Sequence, residues 1–300
     1  MPFPPAQPKD LKMNPWGKNS HFAFARFDRT GRRSFFLSFL RLLLVAAFLF
    51  SIPGSGTPPG IGRLGPGRMG DAPPLILWAW ERPEELLFID PRQVGVAFLA
   101  ATCRLVGGEV HLAPRLQPLR IPRGTFLETV VRVEEDRRRP PDLSTGQCAK
   151  LVDGILNATS PFGARALQVD FDAAASRRSF YLHAIRGLRA RLPERTALSI
   201  TALASWCLQD RWLGNTPIDE AVPMLFRMGA DGALVRRRLR EGGDFAEPSS
   251  RKSVGISTDE ELLDFPPGRR VYIFNPKPWS SESLRKIMEN LRRCAPRFPS

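Results

Sequence analysis

Eight short apolar runs, each followed by a polar or amphipathic stretch, divide the chain from Leu75 onward. They are Leu75–Trp80, Val94–Ala100, Thr129–Glu135, Ala166–Asp172, Ala197–Ala204, Ala221–Met228, Ser253–Thr258 and Arg270–Pro276. Runs this short read as strands, and helix-length intervals between them impose parallel pairing, since parallel neighbours need a crossover. Eight such units over about 230 residues fit a (β/α)8 TIM-like barrel, with a β-hairpin over Val110–Ile121 replacing the helix after strand two. The alternative is a doubly wound open sheet, but no Gly-rich phosphate fingerprint follows the first strand.

The intervals carry helix signals. Pro83–Asp90 reads as a short helix, with Pro and acids at its start. Leu143–Asn157 reads as another, with Ser144 and Gln147 at capping-box spacing. An amphipathic helix is expected from Ser176 to about Leu192, with Phe180, Ile185, Leu188 and Leu192 inward. Gly232–Glu241 and Ser280–Arg293 complete the set. Ala204–Pro217, dense in aromatic and polar groups, reads as a loop.

The first 74 residues differ from this pattern. Of 44 Lys and Arg, ten fall in the first seventy residues, against two of the 30 Asp and Glu. The remainder of the chain therefore carries +6 of the +14 net charge. Leu42–Ile52 is an apolar run too short for a membrane span, which needs about 20 residues, and it suits the h-region of an export signal. Arg32-Arg33-Ser34-Phe35-Phe36 before it matches a twin-arginine pattern. Residues 1–52 thus read as an export signal or N-terminal anchor, residues 53–74 as a Gly/Pro-rich linker and residues 75–300 as the barrel. The expected location is periplasmic or extracellular, with membrane contact only through the N-terminal segment. Basic residues are not interleaved with exposed aromatics, so no nucleic-acid partner is expected. Arg236-Arg237-Arg238 reads as a solvated helix face, with phosphate or lipid headgroups as the alternative contact. Cys103, Cys148, Cys207 and Cys294 form no CxxC pair; if an exported chain forms a disulfide, Cys103–Cys207 is the pair to test.

One run carries chemistry. In ALQVDFD (Ala166–Asp172), Leu167, Val169 and Phe171 alternate with Gln168, Asp170 and Asp172. A strand places the two sets on opposite faces. Acids on a barrel strand are costly unless they meet water, substrate or a cation. At the C-terminal rim, where barrel enzymes hold their sites, the expected company is Trp78, Trp80 and Glu81, Arg132 and Glu134, Trp206, and Asn275. Aromatic faces with carboxylates and amides suit a sugar. Asp172 is the candidate general acid, Asp170 its partner and Glu134 the second carboxylate. Trp78, Trp80, Glu81, Arg132, Gln168, Trp206 and Asn275 are candidate substrate-binding residues. The bland alternatives are core packing for each tryptophan and an Arg132 ion pair for Asp170. Only His21, His111 and His183 are present, a poor supply for zinc, so no metal or cofactor is expected, with Ca²⁺ or Mg²⁺ on Asp170 and Asp172 the alternative. A non-catalytic carbohydrate- or envelope-binding barrel competes with a hydrolase.

The segments ALQVDFD, ALSITALASWCL, AVPMLFRMG and VGISTDE together resemble a bacterial family of unknown function placed among glycosidase-type TIM barrels. The resemblance spans Leu75–Trp279 and implies the fold; the expected partner, a polysaccharide or glycoconjugate, rests on the aromatic and carboxylate residues of the rim. More distantly, strand four is similar to the chitinase-type signature DxxDxDxE. Asp172 stands in the place of its Glu, the general acid, and Asp170 in that of the preceding Asp. Gln168 and Arg165 replace the two earlier acids.

Overall fold

The computed structural model describes residues 67–171, 175–209 and 211–294. The expected export signal therefore lies outside the described residues. The described residues form eleven strands: β1 (Leu75–Ala79), β2 (Glu84–Glu85), β3 (Val94–Val106), β4 (Glu109–Pro114), β5 (Leu119–Arg120), β6 (Leu127–Glu135), β7 (Ala166–Asp170), β8 (Ala197–Leu203), β9 (Glu220–Met224), β10 (Ser253–Ser257) and β11 (Arg270–Phe274). Five helices accompany them: α1 (Thr145–Thr159), α2 (Arg178–Arg191), α3 (Ala204–Gln209), α4 (Gly232–Arg240) and α5 (Ser281–Cys294).

Strands β1, β3, β6, β7, β8, β9, β10 and β11 pair in parallel, each with the next, and β1 pairs with both β11 and β3. The sheet is thereby closed, and the chain is a (β/α)8 TIM-like barrel. Closure leaves no open edge on the parallel strands. The hairpin is also present. β3 overruns the barrel and turns at Gly107, whose φ of +51° suits the tight turn into antiparallel β4. β5 then pairs with β2.

The two strand faces separate cleanly. Outward side chains such as Leu77, Val96, Val131, Leu167, Val169, Leu198, Ile200 and Ile256 form one apolar cluster beneath the helices. Inward positions are largely polar or aromatic: Trp78, Glu128, Arg132, Gln168, Asp170, Ser199, Thr201, Glu220 and Tyr272 are all buried. Gly255 clears space among them, because a Cβ there would lie 2.8 Å from the Trp78 ring. A strand glycine often marks such a close approach.

Helix α1 begins as its spacing predicts. Ser144 Oγ accepts from the Gln147 amide at 3.2 Å, and Gln147 Oε1 accepts from the Leu143 amide at 2.9 Å. The Gln147 amide nitrogen also donates to the Gly107 and Glu109 carbonyls, tying the hairpin to the helix. Two intervals depart from expectation. Pro83–Asp90 is not a helix; it holds β2 and turns. Long-range contacts override its local helix signals: the Glu84 and Leu86 amides donate to the Pro118 and Arg120 carbonyls, and the Glu84 carboxylate is buried against Arg82 and the Trp279 amide. Ala204–Gln209 is helical rather than loop, with Cys207 buried on the core side. The proposed Cys103–Cys207 disulfide is also corrected: both cysteines are buried free thiols, Cys103 on β3 and Cys207 on α3. Gly67–Pro74, the end of the expected linker, lies on the barrel, with Met69 buried and its carbonyl accepting from Arg270. No helix among the described residues is long and apolar enough to cross a membrane.

Candidate active site

Two polar layers fill the barrel interior. The lower one lies toward the N-terminal ends of the strands. Trp78 donates its indole N–H to Gln168 Oε1 at 2.8 Å, and Gln168 Nε2 donates to Ser199 Oγ at 3.0 Å. Ser199 donates to Glu128 Oε1 at 2.5 Å, and Tyr272 donates to Glu128 Oε2 at 3.0 Å. Beside them, Arg270 is paired with Glu220. Burial pushes the Glu128 carboxyl up to about 7, the charge on Glu220 adds to the rise, and the Ser199 and Tyr272 hydrogen bonds oppose it. Burial likewise holds the Tyr272 hydroxyl well above its ordinary range.

The upper layer is the mouth at the C-terminal ends. Asp170 closes β7 and is 2 % exposed. Thr201 Oγ1, one strand over, donates to Asp170 Oδ1 at 2.6 Å. Burial raises the Asp170 carboxyl above the ordinary carboxylate range, against the Thr201 bond and the Arg132 charge, and Glu134 adds to the rise. Arg132, level with Asp170 in the β6–β7 register, pairs with Glu134 at 3.1 Å and Glu81 at 3.6 Å. Arg104 approaches Glu134 from the other side at 3.4 Å. One guanidinium thus links carboxylates from two strand ends directly beside a buried acid.

The expected site residues divide accordingly. Asp170, Arg132, Glu134 and Glu81 meet at the mouth. Gln168 and Trp78 lie deeper and bond to each other. Trp80 and Trp206 are buried, Trp206 against Trp212 with ring centres 5.4 Å apart. Asn275 is buried too; its amide oxygen accepts from Thr258 at 2.7 Å and its amide nitrogen donates to the Pro278 carbonyl. Asp172 lies outside the described residues. Thr201 and Glu128 were not picked out from the sequence. Thr201 sits in an unremarkable run, ALSITALA, and Glu128 falls one residue before the run taken as a strand, so only cross-barrel contact identifies them.

A second rim cluster surrounds Arg227. Its φ of +49° is in the left-handed region. Its guanidinium packs over the stacked rings of Phe226 and Phe274 and pairs with Asp259 at 2.8 Å and Glu260 at 3.4 Å. No group of three or more metal-ligating side chains occurs among the described residues. A cavity of about 710 Å³ opens at the opposite, N-terminal end of the barrel, away from Asp170. Its cations are engaged there: Arg269 with Asp244, Arg270 with Glu220, and Lys252 with the Asp219 carbonyl. The mouth thus holds a buried acid, Asp170, with its proton affinity raised, beside the charged groups Arg132 and Glu134.

No protein-family model matches the chain, and no curated protein is similar to it in sequence. Solved structures similar in shape include the following three. One is a Streptomyces coelicolor protein assigned as chitinase A, with a TM-score of 0.46 and 9% identity over 74% of this chain and 96% of that one. Another is a Rhizomucor miehei chitinase, with a TM-score of 0.40 and 11% identity over 61% and 68%. The third is the Bacillus cereus spore cortex-lytic enzyme SleL, with a TM-score of 0.40 and 16% identity over 60% and 50%. These likenesses assign no residue a role.

Proposed function

We propose that this barrel is an exported glycoside hydrolase acting on a polysaccharide or envelope glycoconjugate. The observation that carries the reading is Asp170: a carboxyl buried at the barrel mouth, held by Thr201, with its proton affinity raised by burial. Such a group holds a proton where a surface aspartate has lost it. Two residues further along the sequence the next acid is Asp172. In the proposed reaction Asp172 gives its proton to the glycosidic oxygen as the C–O bond breaks. Asp170, neutral or sharing a proton with it, orients that acid; water then adds to the anomeric carbon and gives its proton to the Asp172 carboxylate, which restores the acid. The N-terminal Arg-Arg pair and apolar run would deliver the barrel outside the cytoplasm.

One observation favours a non-catalytic sugar-binding barrel instead. Glu134, the candidate second carboxylate, is held between Arg132 and Arg104, a geometry better suited to fixing a charge than to attacking a sugar. The two readings separate on Asp170→Asn and Asp172→Asn variants, assayed for turnover and for binding on a glycan panel. Turnover in the parent, lost in both variants with binding kept, supports hydrolysis. A parent that turns over no glycan, with binding unchanged in both variants, sinks it and leaves the binding barrel.

A further inference from the structure

We propose that the N-terminal face of the barrel, opposite the mouth, docks on an anionic phospholipid surface, with α4 as its main contact. Barrel helices run antiparallel to the strands, so the last turn of α4 lies toward the strand starts. The path beyond it agrees: Asp244, four residues past the helix, pairs with Arg269 just before β11. In that last turn and a half, Arg236, Arg237, Arg238 and Arg240 are all exposed. Arg236 and Arg240 are four residues apart, a like-charge spacing that destabilises a helix. None of the four has a carboxylate partner among the described residues; the Arg240 side chain reaches only the Arg236 carbonyl.

Several arginines elsewhere on the surface do have acid partners. Arg177 pairs with Glu135, Arg191 with Asp153 and Arg285 with Glu289. Just before β10, Arg251 and Lys252 add two exposed cations, and their side chains donate to backbone carbonyls rather than to acids. The end of α4 thus carries four arginines without an ion pair among the described residues, and an external polyanion supplies their counter-charge. Basic clusters near a bilayer are held by its anionic headgroups, each Lys or Arg adding to the attraction.

The chain's path selects a bilayer among polyanions. Its folded part begins on this same face, where Arg68 pairs with Asp219 and Arg270 holds the Met69 carbonyl. Only fourteen residues, dense in Gly and Pro, separate Gly67 from Ile52 at the end of the apolar run. Even fully extended they reach about 50 Å. The inference shares the reading of that run as membrane-seeking, but not the glycan reading of the mouth. Docked this way, the barrel turns its mouth away from the lipid.

The test is sedimentation of the full chain with vesicles of phosphatidylcholine alone and of phosphatidylcholine with phosphatidylglycerol. Binding to the neutral vesicles measures the N-terminal segment; the increment on anionic vesicles measures the face. R236S/R237S/R238S/R240S is expected to lose roughly tenfold or more of that increment, with neutral binding unchanged. R237Q/R240Q keeps more of the helix surface and is expected to lose a smaller part. R137S/R138S/R139S is the control, since that equally basic exposed triplet follows the C-terminal end of β6; it is expected to bind as the parent does. The proposal is overturned by an equal loss in the control, by unchanged binding in both folded α4 variants, or by duplex DNA displacing the protein from the vesicles. Failure there leaves the glycan assays untouched.

Discussion

Thr201 Oγ1 donates a 2.6 Å hydrogen bond to Asp170 Oδ1 across the β7–β8 seam, at the depth where the barrel interior becomes its mouth. The bond favours the ionised carboxylate, while burial favours the neutral one and prevails. Thr201→Val removes the donor. The expected cost in folding stability is about 1–3 kcal/mol, because a buried acceptor loses its partner. That cost should grow with pH, since the lost bond is stronger to an anion than to a neutral acid. Urea denaturation at pH 5 and pH 8 checks it. A cost that is the same or smaller at pH 8 would mean that Thr201 does not support the charged form.

Gly255 and Trp78 give a packing prediction. A methyl group at Gly255 would lie 2.8 Å from Trp78 Cη2 and 3.2 Å from Cζ3, with Val222 Cγ1 at 3.5 Å behind. The Trp78 ring is also fixed by Gln168 and by Tyr272, whose ring centre is 5.3 Å away. Gly255→Ala should therefore destabilise by about 1–3 kcal/mol, the usual cost of overpacking. Trp78→Phe both shrinks the ring and removes its N–H, so the double variant should cost less than the two single costs added. Strict additivity in thermal unfolding would show that the two positions do not press on each other.

The barrel was legible because its outward faces are almost purely apolar and its crossovers are helix-length. Gln168 and Asp170 were legible for the same reason, as polar exceptions in an apolar strand. Their partners were not. Glu128 and Glu220 sit at strand starts, where a charged residue looks like the end of a loop, and their burial depends on Tyr272 and Arg270 more than fifty sequence positions away in one case and fifty in the other. Pro83–Asp90 shows the converse. Its Pro and acids are local helix-start signals, yet Glu84 is held by the Trp279 amide, from the far end of the chain.

Cys103 and Cys207 yield a chemical prediction. Both thiols are pushed up to about 12, chiefly by burial. The thiolate is the reactive form, so neither should react with iodoacetamide in the folded protein near neutral pH. Both should react once urea unfolds the chain, without a reductant. Peptide mapping by mass spectrometry reads each site separately. A peptide linking Cys103 to Cys207 in protein never exposed to reductant would contradict the free-thiol state.

Glu128 should make the fold less stable as pH rises toward neutrality. Its carboxyl is pushed up to about 7 in the folded barrel, mainly by burial and further by Glu220, against an ordinary value of 4.5. Between those values the folded protein holds a proton that the unfolded chain has released. The folded state thus binds more protons, and stability falls with increasing pH across that window, levelling above about pH 7. The size is on the order of 2–4 kcal/mol. Asp170 is shifted in the same direction, so the slope of the parent alone does not isolate Glu128. Glu128→Gln does: an amide cannot titrate, yet it still offers an acceptor to Ser199 or Tyr272. Urea midpoints from pH 4.5 to pH 8 should show the parent losing stability relative to this variant, with most of the difference arising between pH 5 and pH 7. Two parallel curves would mean that Glu128 does not take up a proton in the folded barrel, and that Ser199, Tyr272 and Arg270 together hold it as a carboxylate.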